Sequence, residues 1–457
     1  MGQVEWLGSE IFKAVLTFDN GLVYTSRSDY KDCDGILLQL QVDESEAATS
    51  GNPVGIMSPN YCNLTIWDLQ NRLIPTNTNS PYYGYMRNGV FVELYISIDG
   101  GNTWLDYGKY YTENWSVVIE NGGAKAASIT CTDKLAFIGN REIPKLSAYS
   151  GVDVVDLLKE IFSAIGVSTD EYNIDPSLED KVSMLVSITK GDLLRDVLNT
   201  IAQALLARIT IDRSGVIQVK PAFPNIDDYG ELNSLRLQNM QIEHNQLSVY
   251  NRVTLSYNEV DNNQPSSIIY QQNNVRLNPG ENRLDNISIQ QNILSIDGVY
   301  IDLDATAESY IDQIEVLDYS ASQNGINITV VSNLTEPVYV SVTVEGRIAG
   351  LTNSFVESEV KDTDVKVSNT LAIESFVIQD RNVAQTYVNE VAKYLGNMQQ
   401  EVVVSGALSP LITTGVYITI NTGESSFDGR YLVTKFSMSV AFSRVNVTLT
   451  MVKMRGA

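Results

Sequence analysis

Histidine and cysteine are scarce in this sequence of 457 residues, and their scarcity excludes several kinds of site. The one histidine, His244, lies in a stretch with the composition of a strand. A single histidine cannot supply a His-based catalytic triad or a zinc site built on paired histidines. The three cysteines, Cys33, Cys62 and Cys131, are too far apart in sequence to predict a metal motif or a disulfide framework. Their odd number fits synthesis in a reducing cytoplasm.

Long apolar runs are also missing. No run approaches the roughly 18 residues that a membrane helix needs. The first six residues, MGQVEW, lack the basic and apolar regions of a signal peptide. We therefore expect neither stable membrane insertion nor export by a signal peptide.

Basic residues are outnumbered by acidic ones, 31 Lys and Arg against 55 Asp and Glu, which gives a formal net charge of −24. Proteins that wrap nucleic acid neutralise its phosphates with Lys and Arg, so this excess of acid disfavours that class. Two explanations of the acid remain open at this stage. It serves solubility alone, or it forms a functional acidic surface.

The sequence is otherwise that of a folded protein, with 44% hydrophobic residues. Its length suggests about three domains, at a prior of about 150 residues each. Short segments of alternating apolar and polar residues fill the first part of the chain and predict a β-barrel or β-sandwich. These segments are residues 4–25, 35–42, 63–69, 89–98 and 114–120.

One turn in this first part has a recognisable pattern. Residues 97–104, SIDGGNTW, resemble the Asp-box hairpin turns of sialidase propellers. The physical basis is local, because Asp99 can accept backbone N–H bonds and glycine can take a positive φ. A single copy favours a structural hairpin over any kinship with glycosidases.

Two groups of tyrosines occur in the same part of the chain. They are Tyr82, Tyr83 and Tyr85, and Tyr107, Tyr110 and Tyr111. They could form stacking platforms for sugars. The stronger interpretation is structural, because tyrosine favours strands and alternation would place these rings on both faces of a sheet.

Helical periodicity begins after Ser150. Apolar residues of 154–165 form one stripe, with Ser150 and Asp153 at capping-box spacing, and Thr189 and Asp192 repeat that spacing before a second stripe at 193–205. Strand-like residues 207–212 and 216–220 flank an Arg213-Ser214-Gly215 turn. These elements predict a small α/β unit.

The last part of the chain predicts strands at 237–242 and 247–257, and strand-like pieces at 325–332 and 337–345 that suggest an inserted β-sandwich. A helix capped by Asp380 covers 384–395, and four strands follow at 401–405, 415–421, 429–440 and 444–453. We expect this helix to lie across a sheet, and we expect the strands at 237–257 and the segment 376–454 to form one domain, because neither set of strands alone is enough to bury the helix.

Catalytic chemistry finds little support in these patterns. Nothing brings two carboxylates together for acid and base catalysis, and no glycine-rich phosphate loop follows a strand. Asp302 and Asp304 could bind calcium, but an acidic strand edge is the better explanation. The sequence therefore predicts a protein that is not an enzyme, with no catalytic, cofactor-binding or metal-binding residues and no cofactor.

Three stretches follow one another in an order typical of one known family. Residues 127–135, ASITCTDKL, lead from the first β-region into the helix that contains residues 155–158. Residues 194–207 precede 211–217, IDRSGVI, with its Asp-x-x-Gly turn. Residues 250–253, YNRV, are completed by the helix and strands of 376–454. This order resembles the baseplate hub or tail-tip proteins of tailed bacteriophages and related contractile machines.

The resemblance implies a mainly β fold with α+β elements. It implies two tail-tube-like β-barrel or sandwich domains, a small α/β domain between them and an inserted β-sandwich module. The expected boundaries are 1–147 for the first β-domain, 148–222 for the α/β domain, 223–285 and 370–457 for the two parts of the second β-domain, and 286–369 for the module.

The resemblance also implies a structural function. A homotrimer would present six tube-like domains and join a hexameric tail tube to a three-fold spike or tip, with a channel for DNA that passes without specific binding. Expected partners are the tail tube or distal tail protein, a spike or tip protein and the tape-measure protein, in a virion assembled in the bacterial cytoplasm. The alternatives are a tail protein that binds host-surface carbohydrate and a tail-associated peptidoglycan hydrolase.

Overall fold

The computed structural model describes twenty segments of the chain. They are residues 10–45, 56–68, 70–119, 125–143, 152–179, 183–184, 192–222, 228–233, 237–243, 250–261, 264–289, 293–303, 312–322, 325–348, 350–360, 369–375, 378–406, 408–423, 428–441 and 444–454.

The first described strands are β1 (Ile11–Thr17), β2 (Val23–Arg27), β3 (Gly35–Ser45), the short β4 (Ile56–Met57), β5 (Tyr61–Trp67), β6 (Phe91–Ser97), β7 (Leu105–Ile119) and β8 (Lys125–Asp133). All of them except β4 close into a barrel. The order around the barrel is β3-β2-β1-β6-β7-β8-β5, and β5 pairs back with β3. Alternate residues point inward, as Phe12, Ala14 and Leu16 of β1 do. The barrel predicted from alternation is thus confirmed.

The turn between β6 and β7 has the structure that its sequence predicts. Asp99 Oδ1 accepts the backbone N–H groups of Asn102 and Thr103 at 3.0 and 2.9 Å. Ser97 Oγ accepts the N–H of Gly101 at 2.8 Å, and Gly101 has a φ of 93°. These bonds make the segment a well-ordered hairpin turn.

A small α/β unit follows the barrel. Its elements are α1 (Lys134–Gly139), β9 (Val152–Asp153), α2 (Val154–Ala164), β10 (Tyr172–Ile174), a 3₁₀ turn (Pro176–Leu178), β11 (Ser183–Met184), α3 (Leu194–Leu205), β12 (Ala207–Ile211) and β13 (Ile217–Pro221). The helices bury Leu158, Ile161, Leu198 and Ile201 in one core. One sheet has the order β10-β13-β12-β4, so the β3–β5 connection supplies a strand to this unit.

The two predicted helix caps in this unit need correction. Asp153 itself caps α2, because its side chain accepts from the N–H groups of Val155 and Asp156. The residue before α3 is Leu193, which offers no side-chain cap. Ser150 and Thr189 lie outside the described residues.

The remaining elements complete the chain. They are β14 (Asp228–Asn233), β15 (Leu237–Glu243), β16 (Arg252–Asp261), β17 (Ser267–Leu277), β18 (Gly280–Ser288), β19 (Ile293–Leu303), β20 (Ile314–Ser322), β21 (Gly325–Ser332), β22 (Val338–Ile348), β23 (Gly350–Glu359), β24 (Thr370–Ser375), α4 (Arg381–Asn397), β25 (Met398–Gly406), β26 (Tyr417–Asn421), β27 (Gly429–Ala441) and β28 (Arg444–Met454).

The C-terminal strands continue the sheet of the barrel. Their order is β15-β25-β28-β27, and the second half of β27 pairs with β3, where Phe436 lies opposite Glu44. The first half of β27 pairs with β26, which in turn pairs with β14. Residues of the barrel such as Leu64 share one buried core with Phe436 and Leu449. The two groups of β-strands are therefore connected by hydrogen bonds and by a common core.

Helix α4 forms where the sequence predicts it, capped by Asp380, and it packs on β16, which overlaps the strand predicted at 247–257, rather than on the sheet formed by the strands that follow it. Asp380 Oδ1 accepts the N–H groups of Asn382 and Val383 at 2.7 and 3.0 Å. The helix packs on the separate sheet β23-β16-β24, where Tyr387 and Val391 contact the core that includes Leu255. The inward side chains of β25, β27 and β28 are not available to it, because they pack against the barrel core.

Strands β17 to β22 form two three-stranded sheets, β17-β22-β19 and β18-β21-β20, around a core of their own. We call residues 262–349, which include these six strands, the inserted module. The boundaries predicted from the sequence stay a prediction. The strand pairing shows where the module ends: β22 belongs to the module, whereas β23 pairs with β16 and packs against α4.

The fold class is mainly β with a smaller α/β part, as the sequence predicts. Among the residues that the structure describes, no helix has the length and apolar character needed to cross a membrane.

Candidate functional site

The tip of the β12–β13 hairpin contacts both groups of β-strands, through Glu44 of β3 and the carbonyl of Pro410. Asp212 shapes the turn: its Oδ1 accepts the N–H of Val216 at 3.0 Å and the hydroxyl of Ser214 at 2.6 Å. Gly215 takes a φ of 87°, which a side chain would strain. This turn holds Arg213 in a fixed position.

Arg213 points into the seam between β3 and β27. Its Nε lies 2.7 Å from Glu44 Oε1 and its Nη2 lies 3.2 Å from Glu44 Oε2, which makes the ion pair bidentate. The same guanidinium donates to the carbonyl oxygens of Pro410 at 2.9 Å and Ile412 at 2.7 Å. The side chains of Arg213 and Glu44 are only 14% and 5% exposed. Bidentate, charge-assisted bonds of this kind are among the strong ones in proteins.

Two aromatic rings enclose the guanidinium. It lies 4.3 Å from the ring centroid of Tyr107 and 5.0 Å from that of Phe436. The Tyr107 hydroxyl donates to the Pro410 carbonyl at 2.8 Å. Burial acts to lower the pKa of Arg213, but the Glu44 carboxylate outweighs it and raises the pKa above its ordinary value. The guanidinium therefore stays charged and cannot serve as an acid.

We call this cluster of Arg213, Glu44, Tyr107, Pro410 and Phe436 the junction. Glu44 and Tyr107 belong to the barrel, Arg213 to the α/β unit, and Pro410 and Phe436 to the C-terminal part of the chain. The hydrogen bonds within it join different parts of the same chain. Chemically the junction is a fixed structural connection between three parts of the fold.

A cleft of about 400 Å³ lies beside the junction, lined by Asp43, Tyr61, Lys435 and Thr450 among others. Its Asp43 accepts from Ser437 Oγ at 2.6 Å and from Gln41 Nε2 at 2.8 Å. Glu44, also on the wall, is paired with Arg213. Both carboxylates are thus held by neighbouring side chains.

A second set of contacts fixes the α/β unit to the barrel. Asp133, at the end of β8, accepts the N–H of Asn60 at 2.6 Å and that of Ala136 at 3.0 Å. The Met57 N–H donates to Asn199 Oδ1 at 2.7 Å, and Asn60 Nδ2 donates to the Ile211 carbonyl at 3.1 Å. The α/β unit is therefore held on the barrel by backbone groups as well as by Arg213.

Comparison with known proteins supports the resemblance seen in the sequence. The fold is similar to that of the tail protein from Neisseria meningitidis MC58, with a TM-score of 0.54, 9% identity and coverage of 97% of this chain and 96% of that one. It is also similar to the prophage MuSo2 43 kDa tail protein from Shewanella oneidensis, with a TM-score of 0.51, 9% identity and coverage of 96% and 98%. The chain has the fold of phage tail proteins. No family model and no curated protein sequence matches it.

The tyrosines singled out in the sequence do not form one surface of this tail-protein fold. Tyr82, Tyr107 and Tyr110 are buried in the barrel core. Tyr111 stacks on Phe137 with ring centroids 4.5 Å apart. Tyr83 and Tyr85 are exposed. The structural interpretation of these residues thus accounts for four of the six.

The other candidates give no site among the described residues. His244 and Asp304 lie outside that part of the chain, and Asp302 lies on an outer strand of the inserted module. Within the described ranges, no three His, Cys, Asp or Glu side chains are grouped so that they could hold a metal ion. The junction, in contrast, was not predicted from the sequence. Its Asp-x-x-Gly turn was predicted, but the contacts that Arg213 makes from that turn were not.

Asp133 provides a pH-dependent test of how the barrel and the α/β unit are joined. Burial raises the pKa of Asp133 to about 7, above its usual 3.8, although backbone N–H groups oppose the shift. Its contribution to stability is therefore fully present below pH 4 and is lost as the pH rises through about 7. In that window each pH unit is expected to lower the free energy of unfolding by about 1.4 kcal/mol.

Asp133→Asn should remove this dependence. The test is the change in the free energy of urea unfolding between about pH 5 and pH 7, which should be smaller in the variant than in the native protein by roughly 2 kcal/mol. Any loss of hydrogen bonds in the variant is the same at both pH values and cancels. Asp99→Asn is the control, because hydrogen bonds from Thr103 and Ser97 lower the pKa of Asp99 to about 2, outside the window. Equal pH dependence in native protein and Asp133→Asn would contradict the assignment.

Proposed function

We propose that this chain is a structural hub of a phage tail tip or baseplate, three copies of which form an adaptor between a hexameric tail tube and a three-fold spike or tip. The observation that carries the proposal is the continuous sheet through β3 and β27, fixed by the junction. It joins two groups of β-strands through hydrogen bonds and one shared core. Two tube-like domains per chain require three chains to match a six-fold partner.

The charge of the chain is consistent with a conduit for DNA. Three copies of a chain with a net charge of −24 present many carboxylates. Carboxylates that line a channel repel phosphates, so DNA passes without specific binding. Tail tube or distal tail protein, spike or tip protein and tape-measure protein are the proposed neighbours in the virion.

Light scattering on the purified protein should give the mass of a trimer, or of a monomer that becomes a trimer when its tail-tube partner is added. Negative-stain images should then show a three-fold ring with a central opening. The physical reason is the match of three chains to a six-fold tube. A stable dimer under all conditions would rule out the adaptor.

A specific surface favours carbohydrate binding as a second candidate function. Tyr300 and Tyr339 are 49% and 56% exposed on the outer face of sheet β17-β22-β19. Arg276 lies opposite Tyr339, and Asp302 follows Tyr300 on that face. Aromatic rings beside polar groups suit the binding of sugars.

A glycan array tests this candidate, with the double variant Tyr300→Ala/Tyr339→Ala as the control. Zymography on peptidoglycan tests the other alternative, a peptidoglycan hydrolase.

A further inference from the structure

Two of the three cysteines meet inside the barrel. Cys62 lies on β5 and Cys131 on β8, and the register places them directly opposite one another. Both side chains are buried, and the pair stands beside Leu64 and Ile129, the next inward-facing pair of the same two strands. Both cysteines are free thiols in this structure.

The geometry of the pair suits a covalent bond. Opposite residues of antiparallel strands have Cα atoms about 4.5–5.5 Å apart. A disulfide requires roughly 4.4–6.8 Å. The two residues are direct partners in the register of β5 and β8, and both side chains face the barrel core. Joining them requires rotation of the side chains and no movement of the strands past one another.

We propose that Cys62 and Cys131 form an intramolecular disulfide when the chain is exposed to a disulfide oxidant, and that the bond staples β5 to β8 in the barrel wall. The bond closes a loop of roughly 70 residues. A cross-link that closes a long loop lowers the conformational entropy of the unfolded chain more than one that closes a short loop. The proposal concerns the barrel alone and does not depend on the proposed function.

The reaction is a two-step exchange with a small disulfide such as oxidised glutathione. One protein thiolate attacks a glutathione sulfur, which breaks the glutathione disulfide and releases one glutathione thiolate. The second protein thiolate attacks the protein sulfur of the mixed disulfide, which forms the Cys62–Cys131 bond and releases the other glutathione thiolate. The two protons of the protein thiols end on the two glutathione molecules, which take up two electrons as the protein loses two.

Burial decides when this exchange happens. Burial, together with the neighbouring Cys131, raises the pKa of the Cys62 thiol well above its usual value, so little thiolate exists while the barrel is closed. Exchange needs the thiolate, and we therefore expect it to occur only when β5 and β8 separate transiently. The thiols stay reduced in a reducing cytoplasm and oxidise slowly outside it.

The experiment incubates the full chain with oxidised glutathione near pH 8, with and without a urea concentration below the unfolding transition, and then alkylates the remaining thiols in strong denaturant. We expect Cys62 and Cys131 to escape alkylation after oxidation and all three cysteines to be alkylated without it, whereas Cys33, the most accessible thiol, takes either the alkyl group or glutathione. Peptide mapping should recover Cys62 joined to Cys131. The melting temperature should rise by roughly 5–10 °C and return after reduction.

Two variants separate the outcomes. Cys33→Ser keeps the pair and should behave as the native protein does, whereas Cys131→Ala should show no rise in melting temperature on oxidation. If Cys131→Ala does not fold, peptide mapping of the native chain still decides. Alkylated Cys62 and Cys131 after prolonged oxidation in urea, glutathione left on Cys62 or Cys131, or a bond from Cys33 to either would overturn the proposal.

Discussion

Replacing Arg213 with alanine is expected to lower the free energy of unfolding by about 3–5 kcal/mol, because it leaves the buried Glu44 carboxylate without its cation. The same change removes the donors to the Pro410 and Ile412 carbonyls. It also leaves a void between the rings of Tyr107 and Phe436. A loss of this size is large for one side chain.

The measurement is urea unfolding followed by tryptophan fluorescence, with Arg195→Ala as the matched control. Arg195 is 49% exposed and donates to Asn140, so its removal should cost less than about 1 kcal/mol. Arg213→Lys should fall between the two, because lysine keeps the charge but cannot bind both Glu44 oxygens and two carbonyls at once.

A second variant separates the ion pair from the packing. Arg213→Met with Glu44→Gln removes both charges, fills part of the space between the rings and should recover much of the loss. If the double variant is as unstable as Arg213→Ala, the loss of stability comes from the packing of the side chain and from its hydrogen bonds to the Pro410 and Ile412 carbonyls, and not from the ion pair. If Arg213→Ala costs no more than Arg195→Ala, the junction does not hold the three parts together.

Helix α4 shows how far sequence periodicity reaches. The spacing of Ala384, Tyr387, Val388 and Val391 predicts a helix with one apolar face, and the structure confirms it. Periodicity does not say which sheet covers that face. The strands that follow α4 looked available, but β27 pairs with β3 and their inward residues enter the barrel core. The choice depends on a pairing between residues nearly 400 positions apart, which no local pattern reports.

The junction and the cysteine pair were missed for the same reason, whereas the turn at Asp99 was predicted correctly. Every bond of that turn joins residues within four positions, so its sequence contains all the information. Asp212 and Gly215 likewise predict the turn that carries Arg213. The partner of Arg213 is 169 positions away. The sequence therefore predicts the local turn that holds a side chain, but it does not predict which distant residue that side chain contacts.

The inserted module should be removable, provided that the cut follows the strand pairing. Asp261 at the end of β16 lies opposite Gly350 at the start of β23. Replacing residues 262–349 with an Asn-Gly turn would therefore close these strands into an ordinary two-residue hairpin. The module keeps its own core, with Val342 and Ile328 in it, separate from the core beneath α4. We expect this deletion to be soluble and to unfold cooperatively.

A deletion of 286–369 is the informative counterpart, because it follows the boundaries that the sequence suggests. It removes β23 entirely and with it Val356 and Val360, which pack beneath α4. It also leaves β17 and most of β18 without their partner strands β22 and β21. Unpaired apolar strand edges promote aggregation. We therefore expect this protein to be found in the insoluble fraction, while the 262–349 deletion elutes as a folded species by gel filtration and shows native-like near-UV circular dichroism. If both deletions aggregate, the module contributes to the stability of the remaining chain, and if both fold, the pairing of β16 with β23 is dispensable.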